Sequence, residues 1–345
     1  MIESDRLYKT VLIDGNWNLK KNFFKRKAMV NSSQKLCGAT FGFLDSTRSI
    51  INKIIPDRVI VAWDGFNSGK LRYNVYKPYK ANREKNWESE ARVIATEGSG
   101  SYKDKEDFEI LRQKIEVQTY LDELYVRQLE EDYIEADDLI AYYIIGNKNP
   151  NEHIYIYSRD GDFNQLVSEN VSIINPDSLD IITIKNFKQK FGYIVENALL
   201  FKCFVGDDAD DVPGIKGIGI NTLLKYFPDM ANEKYTYKRL VDECYENKKK
   251  KKLKTFDKII QAEDELYRNA MLMNLKKPFL NQKAIESVDS VRSLEMDIDR
   301  SIETAMDMFI KDGFSNFVGN NYISTFFGPF YSLKAKELEF LQKNN

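Results

Sequence analysis

The stretch YKTVLID, from Tyr8 to Asp14, is a short apolar run that ends in an acid and is followed by glycine. A run of this kind predicts a buried strand. The same design recurs at Val59 to Asp64 (VIVAWD), at Ile154 to Tyr157 (IYIY, followed by SRDGD) and, in shorter form, at Val171 to Ile174 (VSII). Helical patterns lie between these runs, at Gly42 to Ile54 and at Asp137 to Ile145. Strands that alternate with helices predict an α/β domain with a mainly parallel sheet.

Three acids stand where the predicted strands end. Asp14 and Asp64 close the first two strands, and Asp160 follows the third. In open parallel sheets, ligands bind at the carboxyl ends of the strands. We therefore expect these three carboxylates to meet at one edge of the sheet.

Length and composition narrow the class of protein. The 345 residues allow one sizeable domain and a smaller one, with a net charge of −2 and 43% hydrophobic residues. No apolar run approaches the roughly 20 residues that span a membrane, and the N-terminus lacks a signal-peptide pattern. The widely spaced Cys37, Cys203 and Cys244 argue against a disulfide scaffold and suit a reducing cytoplasm.

More acids gather at helix starts and turns. Glu135-Ala136-Asp137-Asp138 opens an apolar helix, Asp162 follows Asp160, and Asp207 and Asp210 stand three apart. Each group alone also fits an ordinary helix start or turn. Two like charges ~4 Å apart repel by about 4 kcal/mol at an effective dielectric of 20, so a cluster needs cations. The nine candidate ligands are Asp14, Asp64, Glu135, Asp137, Asp138, Asp160, Asp162, Asp207 and Asp210.

This donor set predicts a pair of Mg²⁺ ions, for which Mn²⁺ can substitute. Two such ions suit phosphodiester hydrolysis, because they activate a water and stabilise charge on the phosphate and the leaving oxygen. Zinc is disfavoured by the single His153 and by the lack of paired cysteines. A Ser-His-Asp triad is disfavoured because no nucleophile elbow is present.

Two segments offer contacts for nucleic acid. Tyr76 to Arg83 (YKPYKANR) interleaves aromatic residues with cations, and Lys80 and Arg83 would share one helix face, although a solvated loop is the alternative. The turn GIKGIG resembles a helix–hairpin–helix turn, which contacts phosphates through backbone N–H groups. Its predicted DNA-binding residues are Gly214, Lys216, Gly217, Gly219, Asn221 and Thr222. The lysine run Lys248 to Lys252 is either a solvated face or a DNA contact.

Together these motifs resemble the flap endonuclease and 5′–3′ exonuclease family. The resemblance covers about Leu7 to Phe227, and its phage-type ribonuclease H branch is the most similar. The six motifs occur in the family's order: LIDGN, AWDG, YKPYKANR, EADD, SRDGDFNQLV and GDDADDVPGIKGIG. One departure is Asp211, which stands where the family usually has Asn.

The resemblance implies a PIN-like 5′-nuclease domain over residues 1–204 and a C-terminal helical DNA-binding domain over 205–345. The second would carry a helix–three-turn–helix, helix–hairpin–helix-like motif at 206–227. Residues 81–114 would form an arch or clamp, which composition alone does not distinguish from a surface connection. The family's metal acids fall on the nine acids above, the first five in chain order mainly on one ion and the last four on the other. Lys80 and Arg83 would steer the phosphate, Tyr79 would stack on a base, and the 214–219 turn would bind K⁺.

We therefore expect a monomeric Mg²⁺-dependent 5′-nuclease, encoded by a phage and located in the host cytoplasm. Its partners would be duplex DNA with a 5′ flap or nick, RNA–DNA hybrid, and a single-strand-binding protein or clamp, with no membrane. It would remove RNA primers and flaps during replication and leave 5′-phosphate ends. Two alternatives remain at this point: a PIN-type endoribonuclease on single-stranded RNA, and a non-catalytic DNA-structure-binding protein.

Overall fold

A mainly parallel sheet lies at the centre of the computed structural model, which describes residues 7–81, 102–293, 299–319 and 322–344, without the side chains of 102–104 and 340–344. Its six strands run in the order β3-β2-β1-β4-β5-β6, and only β6 is antiparallel to its neighbour. The strands are β1 (Tyr8–Asp14), β2 (Arg58–Asp64), β3 (Arg127–Glu131), β4 (Glu152–Tyr157), β5 (Val171–Ile174) and β6 (Ile181–Ile182). A separate two-stranded ribbon consists of β7 (Gly206–Asp207) and β8 (Val212–Pro213).

Helices cover both faces of the sheet and make up most of the remaining chain. The first half contains α1 (Gly15–Lys25), α2 (Gly38–Ile54), α3 (Lys70–Val75), α4 (Tyr102–Glu123), α5 (Ala136–Ile145), α6 (Ile184–Phe191) and α7 (Ala198–Val205). The second half contains α8 (Ile220–Tyr226), α9 (Tyr237–Lys250), α10 (Lys254–Ile260), α11 (Glu263–Met273), α12 (Gln282–Ser293), α13 (Ile302–Lys311), α14 (Ser315–Val318) and α15 (Ile323–Asn344). None of the helices in these ranges has the length and apolarity that crossing a bilayer requires.

The predicted α/β class and the four predicted strands are confirmed. Two further strands of the six-stranded sheet, β3 and β6, and the short strands β7 and β8 were not expected from the sequence. The first of them reads RQLEE, and it lies at the edge of the sheet, where polar side chains reach solvent or ion-pair partners. A short polar edge strand of this kind lacks the apolar run that marks a central strand of a parallel sheet.

Alternate side chains of the strands pack into two separate hydrophobic cores, one on each face of the sheet. On one face, Leu12 and Ile60 pack with helices α5 to α12. On the other face, Val11, Val61 and Trp63 pack with α2, α4 and the last helices of the chain. Because successive side chains of a strand point to opposite faces, a central strand covered on both sides must be apolar throughout. The continuous apolar runs of β1 and β2 therefore follow from their position in the middle of the sheet.

The C-terminal helices return to the sheet. Helix α12 packs on β3 and α5, while α13 and α15 pack on α4 and α2. Phe309 and Phe327 are fully buried there, in the same core as Val11. Each core contains residues from before and after residue 204, so the packing does not separate the chain there. The division into a nuclease domain (1–204) and a DNA-binding domain (205–345) stays a prediction.

A buried ion cluster fastens α15 to the amino ends of the strands. Glu337, 1% exposed, accepts hydrogen bonds from Arg127 through both oxygens, at 3.0 and 3.2 Å. The Arg58 Nε atom lies 3.7 Å from the Glu337 Oε1 atom. Both arginines begin strands and are almost completely buried. One carboxylate thus serves two buried guanidinium groups, and its removal would leave them without this counter-charge.

We predict that Glu337→Ala lowers the free energy of unfolding by about 3–5 kcal/mol, the usual cost of removing one partner of a buried ion pair. The control is Glu339→Ala, an exposed glutamate on the same helix, which should change that free energy by less than about 0.5 kcal/mol. Urea unfolding followed by circular dichroism measures both. Equal effects of the two substitutions would contradict the role assigned to the cluster.

Candidate active site

Acids mark the carboxyl edge of the sheet. Asp14 ends β1 and caps α1, because its Oδ1 atom accepts the Trp17 N–H at 3.0 Å. Asp64 ends β2, and its Oδ1 atom accepts the Ala136 N–H at 2.9 Å, at the start of α5. Asp160 follows β4 and accepts the Asp162 N–H at 2.8 Å. Each of these acids therefore also fixes a backbone N–H group, which is nearby in the chain for Asp14 and Asp160 and at the start of α5 for Asp64.

The acids that belong to β1, β2 and β4 and to the start of α5 form one electrostatic group. Asp64 and Asp160 both act on the charge of Asp14, and Asp160 and Glu135 both act on Asp137. The Ser158 hydroxyl donates to Asp14 at 3.0 Å and joins the ends of β1 and β4. The convergence expected from the strand ends is thus present in the structure.

A second group lies on the loops that follow β4 and α7. Lys202 binds the carboxylates of Asp162 and Asp207, at 2.6 and 2.7 Å. Asp207 also accepts the Ala209 N–H at 2.9 Å and so starts the short turn that carries Asp210. Asp160 raises the pKa of Asp162 through its charge, which connects this group to the first.

Lys80 joins the two groups. Its ammonium binds Glu135 and lies 3.4 Å from the Asp210 Oδ2 atom, and its backbone N–H donates to the Asp210 carbonyl at 3.0 Å. Lys80 has a positive φ of 51°, an uncommon conformation for a residue with a side chain. The segment that carries the predicted phosphate-steering lysine is therefore tied to acids from both groups.

The base-stacking role predicted for Tyr79 is wrong for the structure as it stands. The ring is only 3% exposed, and its hydroxyl lies 3.1–3.2 Å from the oxygens of Glu135 and 3.0 Å from Asp210. A ring in this position cannot present a face to a base. The reason is the polar tip of the side chain, which finds buried carboxylate partners when the ring packs against the core.

Arg72 is a site residue that sequence reasoning missed. Its guanidinium donates to both oxygens of Asp138, at 2.5 and 2.8 Å, to Glu135 at 2.5 Å and to the Leu272 carbonyl at 2.8 Å. Asp138 also accepts the Phe279 N–H at 3.0 Å. The metal-ligand role predicted for Asp138 stays a prediction, and it competes with this pairing. No sequence signal marks Arg72, since its acid partners lie more than 60 residues away.

Lys202 was also missed, although a signal was available. It is a lone cation in the apolar helix α7 (ALLFKCFV), four residues before Gly206. A charged residue within an apolar helix needs a partner when it is buried. The partners are the acids that follow on the next loop and on the turn after β4.

Burial and mutual repulsion raise the pKa values of several acids. Burial, together with Asp64 and Asp160, raises the pKa of Asp14 to about 7. Burial and Asp160 raise the pKa of Asp162 to about 7, against the opposing effect of Lys202. The pKa of Asp137 is also raised well above its usual range, by burial and then by Asp160 and Asp14. The cations of the chain thus leave part of the negative charge uncompensated.

Neighbouring cations lower the pKa values of two other acids of the cluster. Burial alone would raise the pKa of Glu135, but Lys80 and Arg72 outweigh it and lower the pKa to about 2. Burial opposes the ionisation of Asp207 as well, yet its contacts with Lys202 lower its pKa. The acids whose pKa is raised, by burial first and then by neighbouring acids, are therefore Asp14, Asp137, Asp138 and Asp162.

The donor set suits a hard divalent cation. All the converging ligand atoms are carboxylate oxygens, which Mg²⁺ and Mn²⁺ prefer, and the raised pKa values show that positive charge would be favourable. As the side chains stand, no three acidic, His or Cys residues in the described ranges are arranged around a common point as ligands. Lys80 and Lys202 hold several of these oxygens instead. The residues fit such ions by chemistry, and binding would require these ammonium groups to move.

The glycine turn lies on the surface beside the second acid group. Lys216 and Gly217 are exposed, Ile218 is buried, and the Thr222 hydroxyl lies 3.5 Å from the Gly217 carbonyl. Gly214 and Gly219 flank the turn, and Asn221 is exposed in the first turn of α8. Burial of Ile218 anchors the turn to the core. DNA binding by this turn stays a prediction.

A tight backbone crossing fixes the turn relative to the acids. Gly206 has a φ of +79°, and a Cβ atom there would lie 2.2 Å from the Gly214 nitrogen. Asp211 has a φ of 56°, in the left-handed region that Asp and Asn adopt more readily than most residues. The replacement of the family's Asn at this position is therefore compatible with the turn. Arg83 and most of the predicted arch at 81–114 lie outside the described residues.

We predict a pH-dependent effect for one of the two acids that share Lys202, Asp162, and a pH-independent effect for the other, Asp207, between pH 5 and pH 8. A carboxyl with a raised pKa contributes stability below its unfolded pKa of about 4, and this contribution is lost as pH rises through the folded value. Since the pKa of Asp162 is about 7, metal-free Asp162→Asn should gain melting temperature relative to wild type between pH 5 and pH 8, by about 2 °C or more.

Asp207→Asn is the matched control. A carboxyl with a lowered pKa contributes stability above its unfolded value, and this contribution is lost only at lower pH. Asp207→Asn should therefore be destabilised by a nearly constant amount between pH 5 and pH 8. Thermal unfolding in EDTA measures both variants, and a constant offset for Asp162→Asn would refute the assignment of excess charge.

Comparison with known proteins identifies the family of this chain. Residues 9–192 match the family model described as the N-terminal resolvase-like domain of 5′-3′ exonuclease. A 5′-3′ exonuclease of Aquifex aeolicus is 31% identical over 219 residues, which are 62% of this chain and 68% of that protein. One from Buchnera aphidicola is 24% identical over 235 residues, 67% of this chain and 73% of that protein. DNA polymerase I of Thermus caldophilus is 28% identical over 67% of this chain, which spans only 25% of the polymerase.

Solved structures share the fold. The 5′-exonuclease of bacteriophage T5 with bound zinc superposes with a TM-score of 0.63 at 18% identity, over 83% of this chain and 98% of that chain. Flap endonuclease-1 of Methanococcus jannaschii superposes with a TM-score of 0.55 at 14% identity, over 98% of this chain and 96% of that chain. The family predicted from the motifs is thus confirmed by the match over more than half of the sequence. This chain belongs to the 5′–3′ exonuclease family.

Proposed function

We propose that this protein is a divalent-metal-dependent, structure-specific 5′-nuclease that cleaves flap, nicked or RNA-primed duplex DNA. The observation that carries the proposal is the convergence of two acid groups at the carboxyl edge of the sheet, joined by Lys80. The exposed glycine turn beside the second group supports a duplex substrate, since single-stranded RNA would not need such an element. A protein that only binds DNA would not need uncompensated buried carboxylates.

The acid groups would hold two Mg²⁺ ions, or Mn²⁺ in their place. Asp14, Asp64 and the acids at the start of α5 would mainly hold one ion, and the acids from Asp160 to Asp210 would hold the other. When bound, the ions supply charge that favours ionisation of a water and stabilises the scissile phosphate and the leaving oxygen. Asp14 and Asp64 are suited to this task because backbone N–H groups fix one oxygen of each.

Lys80 would exchange partners during binding. In this structure its ammonium neutralises Glu135 and Asp210. Divalent ions would take over that neutralisation, and the freed ammonium would orient the scissile phosphate. Its backbone bond to the Asp210 carbonyl would keep it beside the acids meanwhile. Arg83, outside the described residues, is proposed for the same task.

The glycine turn would hold the duplex at a constant distance from the cleavage site. The ribbon β7–β8 and the close crossing of Gly206 and Gly214 connect the acids to the turn with little freedom. The turn would contact phosphates through backbone N–H groups and carry no base specificity. A K⁺ ion held by carbonyl groups of residues 214–219 belongs to the same proposal.

The biological setting that we propose is primer and flap removal during replication of a phage, in the host cytoplasm. The family membership and the acid cluster support a nuclease of replication intermediates. The same setting includes a monomeric enzyme and a single-strand-binding protein or clamp as partner.

We predict that Asp160→Asn lowers the Mg²⁺-dependent cleavage rate by more than the roughly 10- to 100-fold that loss of a ligand's outer partner costs. Binding of flap DNA should be largely retained, since Asp160 lies at the acids and not at the turn. Asp180→Asn, which alters an exposed acid before β6, is the control and should leave both unchanged.

The assay compares 5′-labelled flap, nicked and RNA-primed duplexes with single-stranded RNA. Cleavage of the duplexes by wild type and its loss in Asp160→Asn are expected. Undiminished cleavage by the variant would contradict the assignment of the metal acids. Cleavage of the single-stranded RNA alone would favour the endoribonuclease, and binding without any cleavage would favour the non-catalytic alternative.

A further inference from the structure

A strongly basic segment lies beside the glycine turn. Residues 248–258 contain seven lysines and one aspartate, a net charge of +6 in a chain whose total is −2. The segment covers the end of α9, a short link and the start of α10. So dense a positive charge is costly unless it has partners, and the partners in this structure account for only part of it.

Two lysines of the segment are paired and four face solvent. Lys248 binds Asp257, and Lys249 binds Glu246 at 2.6 Å. The other four are exposed, and within the described ranges no carboxylate lies at ion-pair distance from them. These four are Lys250, Lys251, Lys252 and Lys254. Their positive charge is therefore not neutralised by carboxylates within the described ranges.

The basic segment is attached to the turn. The Lys258 ammonium donates to the Lys216 carbonyl at 2.7 Å, which fixes α10 against the turn. Phe256 of α10 packs edge-on against Tyr226 and Phe227, with ring centroids 5.5 and 6.1 Å apart. Lys254 lies one helical turn before Lys258 and shares its face. The exposed lysines are therefore held at a defined place relative to residues 214–219.

We infer that Lys250, Lys251, Lys252 and Lys254 extend the glycine turn into one continuous surface for the phosphate backbone of duplex nucleic acid. The inference rests on the proposed grip of the duplex by the turn and adds a second contact farther along it. Lysine ammonium groups neutralise phosphates without reading bases, which suits a substrate recognised by structure.

The chain geometry limits how far this surface reaches. Four residues of helix from Lys258 to Lys254 rise about 6 Å, and four more residues in extended form add at most about 14 Å. The lysines thus lie within about 20 Å of Lys258, the residue that contacts the turn, which is about six base pairs at 3.4 Å each. Affinity should respond to the lysines only when the duplex arm is long enough to reach them.

The test compares two variants that remove four charges each, both in the full-length Asp160→Asn background so that DNA is not cleaved. The test variant changes Lys250, Lys251, Lys252 and Lys254 to Gln. The control changes four exposed lysines on α2, α6 and α13 to Gln: Lys53, Lys185, Lys190 and Lys311. Fluorescence anisotropy measures the affinity for flap duplexes whose arm grows in steps of two base pairs, at several salt concentrations.

On long arms, the slope of log affinity against log salt should be less steep by about 2 to 4 in the test variant than in the control. On the shortest arms the two variants should coincide, and they should separate over a window of no more than about six base pairs. Equal slopes at every arm length would overturn the inference.

Two other results would also overturn it. The same loss on short and long arms would mean general electrostatic attraction, and the same loss on a single strand would place the lysines on the displaced strand. An acidic protein as partner would leave both variants equal on DNA. Because binding is measured without cleavage, the outcome is separate from failure of the proposed nuclease activity.

Discussion

Repulsion among buried carboxylates is the constraint on which the rest of the structure depends. A parallel sheet brings the ends of β1, β2 and β4 to one edge, and each of these ends carries an acid. The carboxylates are bound by Lys80, by Lys202 of α7 and by Arg72 of α3. The remaining excess charge appears as the raised pKa values of Asp14 and Asp162. A site built in this way is prepared for additional cations.

The contacts of Lys80 also connect the acid groups to the glycine turn. Lys80 is held by acids from both groups, and the loop of the second group continues through a tight crossing into the glycine turn. The glycine turn also holds α10 and its lysines, because the Lys258 ammonium donates a hydrogen bond to the Lys216 carbonyl. The acid groups, the glycine turn and the basic segment are therefore connected through direct contacts. The C-terminal helices pack on the opposite face of the sheet and on its amino edge, and they stabilise this arrangement.

Sequence patterns carried the information about strands and acids but little about their partners. The runs at β1, β2, β4 and β5 were visible because both faces of a central strand are apolar, whereas RQLEE at the edge gave no such signal. The acids were visible because they follow the strands directly. Arg72 was not, since only the fold brings it to Glu135, and the base-stacking role of Tyr79 came from the family resemblance, which does not report burial in this chain. The role of Arg83 remains a prediction.

The proposed function requires the acid cluster to exchange the ammonium groups of Lys80 and Lys202 for two divalent ions. Anomalous diffraction from crystals of the wild-type protein with Mn²⁺ would test it most directly. We expect two Mn²⁺ peaks among the carboxylates, with the Lys80 ammonium displaced from Glu135 and Asp210. Crystals at saturating Mn²⁺ that show no peak there, with Lys80 still bound to both acids, would contradict it.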